Sequence, residues 1–177
     1  NGVCPAVIGD VFVYRDNAHI SATYARTLAP VLLERLGVEG IDRRDIAIST
    51  EPAPVLPDLK TLRPDIQHAR MDRGQAFSDK CLHSGNDTVT TCGYSSDEPL
   101  LEVAVVGDGM AANLVPAFIE AGQEGKWRVT TYLKDSCLFS ASLVFSRVSD
   151  GDFVECREWS FGVLERLRKT KPDVVLV

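Results

Sequence analysis

The sequence predicts an α/β protein whose parallel sheet is flanked by helices in a three-layer arrangement. Three observations carry that expectation. Val103-Ala104-Val105-Val106 is a continuous apolar run ending in Gly107-Asp108-Gly109, the signature of a strand buried on both faces. A helical pattern from Ala111 to Ala121 and an alternating stretch from Arg128 to Leu133 follow it. An amphipathic pattern over residues 156–170, with Trp159, Val163, Leu164 and Leu167 inward, then leads through Pro172-Asp173 into Val174-Val175-Leu176-Val177. Strand, helix, strand, helix, strand with apolar strands is the order that a covered parallel sheet requires.

The N-terminal part reads differently. Val11-Phe12-Val13-Tyr14 is a short apolar run consistent with a buried strand end, and Arg15-Asp16-Asn17-Ala18-His19 is a polar loop. Ile20, Tyr24, Leu28, Val31, Leu32 and Leu36 then share one helical face, with Ser21 as a cap, Gly37 as the stop and Pro30 as a kink or first-turn residue. Residues 38 to about 66 read as a linker with the proline-rich Pro52-Ala53-Pro54-Val55-Leu56-Pro57, either an extended spacer or a surface-hugging loop. The boundaries are an N-terminal block at 1–37, a connecting segment at 38–76 and a second block at 77–177, together forming one domain.

Composition bounds the function. A chain of 177 residues suits one compact domain. Its formal net charge of −6 argues against a nucleic-acid partner. No apolar run approaches the roughly 18 residues of a membrane span. The five cysteines, Cys4, Cys81, Cys92, Cys137 and Cys156, form no CxxC pair, and with only three histidines neither a metal site nor a cofactor is expected. They read either as buried thiols of a reducing compartment or as two disulfides. Cys81 and Cys92 flank the turn-rich His83-Ser84-Gly85-Asn86-Asp87, and Cys137 and Cys156 bracket a serine-rich stretch. The expected bridges are Cys81–Cys92 and Cys137–Cys156, with Cys4 free or paired to another chain.

The turn after the apolar strand admits two readings. As Gly107-x-Gly109-x-x-Ala112 it matches the dinucleotide fingerprint, whose glycines let a pyrophosphate approach a helix N-terminus. The acidic residue expected after the second strand would be Asp135, 28 positions beyond Gly107 and farther than the usual spacing of about 20. A tight structural strand-to-helix turn is the plainer alternative.

The second reading is a resemblance. Gly107-Asp108-Gly109-Met110-Ala111-Ala112-Asn113-Leu114-Val115-Pro116 resembles the first block of SGNH hydrolases, where a strand ends in Gly-Asp-Ser and the serine is the nucleophile. It is most similar to the version in SGNH domains attached to bacterial acyltransferase-3 membrane proteins, which continues Gly-Asp-Ser-His-Ala. Trp127-Arg128-Val129-Thr130, Lys134-Asp135-Ser136-Cys137, Cys156-x-x-Trp159 and Lys171-Pro172-Asp173-Val174-Val175 agree in order. Cys81 and Cys92 resemble the cysteine pair that precedes the first strand. The resemblance covers most of residues 77–177.

The remaining signature of that family, a C-terminal Asp-x-x-His, is met at the start of this chain as Tyr14-Arg15-Asp16-Asn17-Ala18-His19. A loop histidine can reach a nucleophile, and an aspartate one turn away can orient its ring. Asp16 as a helix cap and His19 as an exposed first-turn residue is the structural alternative. The usual last block thus comes first, through circular permutation, fusion of two fragments or joining of separated segments. The asparagine that would help hold the oxyanion is not identifiable, and the absent segment would hold a partner for Cys4.

The resemblance implies an extracytoplasmic SGNH domain of a cell-envelope carbohydrate O-acyltransferase or acyl-esterase, incomplete or permuted. It would work on an acyl donor and a glycan acceptor, with a membrane acyltransferase domain in the parent protein. The implied catalytic positions are Asp16, His19 and Gly109, the last a vacant nucleophile position. Asp108, Met110 and Asn113 are the implied substrate contacts. Gly109 makes the domain inactive as written. The alternatives are a dinucleotide-binding module and a non-catalytic glycan-binding pseudoenzyme.

Overall fold

The computed structural model describes residues 5–36, 58–96, 98–146 and 150–177. Cys4, the expected stop at Gly37 and the proline-rich spacer lie outside the described residues. The central sheet is built on the expected apolar run. Strand β5 (Leu101–Gly107) pairs in parallel with β6 (Trp127–Lys134) on one side, from Leu101↔Trp127 to Gly107↔Leu133. On its other side it pairs in parallel with β9 (Val174–Leu176). Helix α4 (Gly109–Gly125) connects β5 to β6, and α5 (Val154–Thr170) precedes β9.

The far edge of β6 is shared by two short strands. Its carboxyl end pairs in parallel with β3 (Leu82–His83), at Leu82↔Leu133 and His83↔Lys134. The rest pairs antiparallel with β4 (Thr91–Ser95), from Thr91↔Tyr132 to Ser95↔Arg128. The bridge Cys81–Cys92, with Cα atoms 5.7 Å apart, ties the residue before β3 to the second residue of β4. Cys137–Cys156, 5.4 Å apart, ties the segment after β6 to the first turn of α5. Both expected disulfides are present.

Strand alternation sorts the side chains into two apolar layers. Val103, Val105 and Val129 face α4 and meet Phe118, Ala121, Ala29 and Leu33. Ala104, Val106 and Tyr132 face the opposite way, onto Trp159 and Val163 of α5 and the Cys137–Cys156 bridge. Phe139 meets the Trp159 ring edge-on at 6.2 Å, a favourable aromatic geometry. The protein is therefore a three-layer α/β structure with a central, mainly parallel sheet, as the sequence predicts.

The N-terminal segment does not join this sheet. Strands β1 (Val7–Ile8) and β2 (Val11–Phe12) form a small antiparallel hairpin, and β2 is bridged to Arg63. The expected helix divides into α1 (Ala22–Thr27) and α2 (Ala29–Arg35), with Pro30 in the first turn of α2, where its missing N–H is harmless. The buried Ser21 caps α1, accepting from the Tyr24 amide at 3.0 Å and donating to the Phe12 carbonyl at 2.5 Å. Between residues 58 and 80 lie a 3-10 turn (Ala69–Met71) and helix α3 (Gln75–Ser78). The antiparallel hairpin of β7 (Phe145–Ser146) and β8 (Gly151–Asp152) leads into α5.

Candidate functional site

The β5–α4 turn stands at the carboxyl edge of the sheet, the edge at which open α/β sheets hold ligands. Asp108 caps α4 by accepting from the Met110 amide at 2.8 Å. Asn113, buried, donates from Nδ2 to the Gly109 carbonyl at 2.6 Å. Two of the expected substrate contacts are thus committed to the start of the helix, while Met110 is exposed.

The two glycines of the turn differ. A Cβ on Gly107 would come within 2.7 Å of the Ala111 Cβ, so this position excludes a side chain. A Cβ on Gly109 would meet nothing nearer than Asp135 Oδ1, at 3.8 Å. Gly109 therefore has room for a side chain that the sequence does not supply. Asp135 follows β6 directly, which is where the dinucleotide reading required its acid, and its amide donates to the His83 carbonyl at 2.8 Å.

The second expected group is assembled. His19 Nδ1 lies 2.9 Å from Asp16 Oδ1 and 3.0 Å from Oδ2. A carboxylate only accepts, so Nδ1 carries the proton and Nε2 is left as the basic nitrogen. The carboxylate also accepts from the Ala18 and His19 amides, each at 2.9 Å. These contacts hold Asp16 down to a pKa of about 2, the Ala18 amide contributing most. Arg15, almost fully buried, places Nη1 3.3 Å from Asp16 Oδ2, stacks over the Phe77 ring at 5.5 Å, and donates from its amide to the His19 carbonyl at 3.0 Å. The loop is thereby fixed to α3.

Packing relates the two groups. The Ala22 amide donates to the Asp72 carbonyl and the Thr23 amide to its carboxylate. Two residues on, Gly74 presses against Pro116 and the Ala112 carbonyl of α4. At the other end, Leu33 of α2 lies against Gly125, the last residue of α4. The α1–α2 pair thus runs in the same sense as α4, and the Asp16–His19 loop precedes α1 at the end where α4 begins. No hydrogen bond or ion pair among the described residues joins His19 to residues 107–113.

Sequence reasoning missed three features. Asp65 and His68 repeat the Asp-x-x-His spacing, with Nδ1 2.9 and 2.7 Å from the two carboxylate oxygens. Their side chains are 58% and 73% exposed, against 30% and 37% for Asp16 and His19, so that pair is a solvated turn. Lys134 is fully buried at the end of β6. The closeness of Asp135, which only the dinucleotide reading singled out, to a side chain at 109 is the third. Hollows of about 230 and 340 Å³ lie away from this edge, the larger lined by Glu102, Arg128 and Pro172 near the amino ends of β5 and β6. Among the described residues no cluster of acids, histidines or cysteines could hold a metal, and no helix is long and apolar enough to cross a membrane.

The family model described as an SGNH domain (fused to AT3 domains) matches residues 76–177, and so covers the β5–α4 turn but not the Asp16–His19 loop. No curated protein and no solved structure matches the chain.

Proposed function

Since the chain belongs to the SGNH domains that occur fused to AT3 domains, we propose that it is the extracytoplasmic part of a cell-envelope carbohydrate O-acyltransferase or acyl-esterase. As written it engages an acyl donor and a glycan acceptor without forming an acyl-enzyme. Two disulfides fit an oxidising compartment. The observation that carries the reading is an assembled Asp16–His19 pair in a chain whose nucleophile position, Gly109, has room for a side chain and none present.

The chemistry absent from the chain defines the test. With a serine at 109, Oγ would attack the acyl carbon and pass its proton to His19 Nε2. The tetrahedral intermediate would then collapse, breaking the ester C–O bond, and the leaving alkoxide would take the proton from Nε2. The amino end of α4 would stabilise the developing oxyanion. Loss of the serine in such a triad typically costs on the order of 10⁶ in kcat.

The parent chain should show no turnover of a short acyl nitrophenyl ester above buffer. Gly109→Ser should acquire one acyl group at residue 109, detected by peptide mass, and Gly109→Ser with His19→Ala should not. Turnover by the parent chain that survives His19→Ala would overturn the proposal, as would acylation of Gly109→Ser that is indifferent to His19.

A further inference from the structure

Lys134 is a charged residue with no part in the chemistry above, yet none of its surface reaches solvent. Burying an ammonium is costly unless its hydrogen bonds are met. Here they are met by backbone: Nζ donates to the Gly85 carbonyl at 2.9 Å and to the Asn86 carbonyl at 2.5 Å. The amine also lies 5.5 Å from the centre of the Phe153 ring, within cation–π range. Desolvation lowers its pKa, opposed by the carboxylates of Glu155, Asp87 and Asp135 that face it.

The two carbonyls belong to the exposed loop between β3 and β4, inside the ring closed by Cys81–Cys92. The disulfide holds the base of that loop, and nothing in a disulfide fixes its tip. The tip is anchored separately, at the carboxyl edge, and it adjoins the candidate site through one residue. Asp135 donates from its amide to His83 at the start of the loop, and its carboxylate is the nearest group to a side chain at 109. Within the loop His83 Nε2 and Asn86 Oδ1 lie 2.8 Å apart, and the Thr88 amide donates to the same oxygen at 3.1 Å.

We propose that Lys134 is a positioning residue that draws the tip of the 84–87 loop onto the end of β6 and fixes it as a polar wall beside Gly109, where it orients the hydroxyl-bearing acceptor. The acceptor's identity rests on the acyl-transfer reading; the anchoring of the loop does not. Removing the ammonium frees two carbonyls to seek water and leaves the tip held only by the bonds to Asn86 Oδ1 within the loop and by the disulfide at its base.

Lys134→Met keeps the apolar stem and deletes the donors. The amide of Thr88, which donates to Asn86 Oδ1 at 3.1 Å, should exchange about tenfold or more faster in this variant while β5 and β6 keep their protection. The Gly109 and Asp135 amide resonances should shift with it. In the Gly109→Ser background, KM for the acceptor should rise at least about threefold with kcat little changed, since a wall that only orients the acceptor contributes uniform binding. If Lys134→Met fails to fold, Phe153→Leu, which removes the ring but keeps the amine, should give the same exchange pattern more weakly. Unchanged loop exchange, or equal acceleration through every strand, would overturn the proposal. A loop that loosens in a protein with no acyl chemistry at 109 would overturn the acyl reading and leave the anchoring intact.

Discussion

Placing the same side chain on the two glycines of the β5–α4 turn should move stability in opposite directions. At Gly109 the new Cβ meets only Asp135 Oδ1 at an ordinary 3.8 Å. The position is the first residue of α4, and serine is a better helix former than glycine by about 0.5 kcal/mol. Gly109→Ser should therefore be neutral or stabilise by up to about 0.5 kcal/mol. At Gly107 the Cβ would lie 2.7 Å from the Ala111 Cβ. That methyl has no rotamer to retreat into, so the turn itself must shift, at about 1–3 kcal/mol by analogy with overpacked cores. Urea denaturation of the two serine variants should separate them by about 1–3.5 kcal/mol, with unchanged m-values. A Gly109→Ser variant destabilised by more than about 1 kcal/mol would refute the reasoning, because Gly109 would then be a structural glycine like its neighbour and not an unfilled nucleophile position.

Two further outcomes follow from the bridges and the histidine loop. The disulfides close loops of 11 and 19 residues, and loop-closure entropy then puts each at about 3 kcal/mol. Replacing either pair by alanine should lower the unfolding free energy by about that amount, and a urea midpoint insensitive to reductant would count against both. Asp16, held at about 2 in the fold, returns to the usual value of about 3.9 when unfolded. Its carboxylate therefore stabilises the loop fully above about pH 4, and that contribution is lost as pH falls through 2. The Ala18 and His19 amide resonances should hold their native positions at pH 3.5 and move below it, and Asp16→Asn should abolish that titration. A midpoint near 4 would mean that the amides do not hold the carboxylate.

What could be read in advance depended on local chemistry. Val103–Val106 announces a buried strand because only covered strands are apolar at successive positions; Val174–Leu176 is equally apolar and forms a strand, but Val175 is exposed. The cysteine pairs were legible because each brackets a turn-rich stretch. The strand Thr91–Ser95 was not, since Thr-Cys-Gly-Tyr-Ser has neither apolar alternation nor β-branched density, and its place on the sheet comes from β6 and the Cys81 bridge. The burial of Lys134 was not legible, because the carbonyls that receive its ammonium lie some fifty positions earlier. Spacing likewise cannot separate Asp16–His19 from Asp65–His68; the lower exposure of the first pair, beside an Arg15 that stacks on Phe77, can.

The divided edge of β6 makes that strand the meeting point of the sheet. It pairs with β5 from Trp127 to Leu133 and with two strands of opposite direction on its other side. A slip of one residue would reverse the facing of every side chain from Trp127 to Lys134 at once, carrying Lys134 away from its loop and exchanging the two apolar layers. It would also misalign three pairings together and pull Cys92 away from Cys81. No partial version of this sheet retains most of its bonding once β6 is out of place. Sequence drift in β6 is therefore constrained as a block.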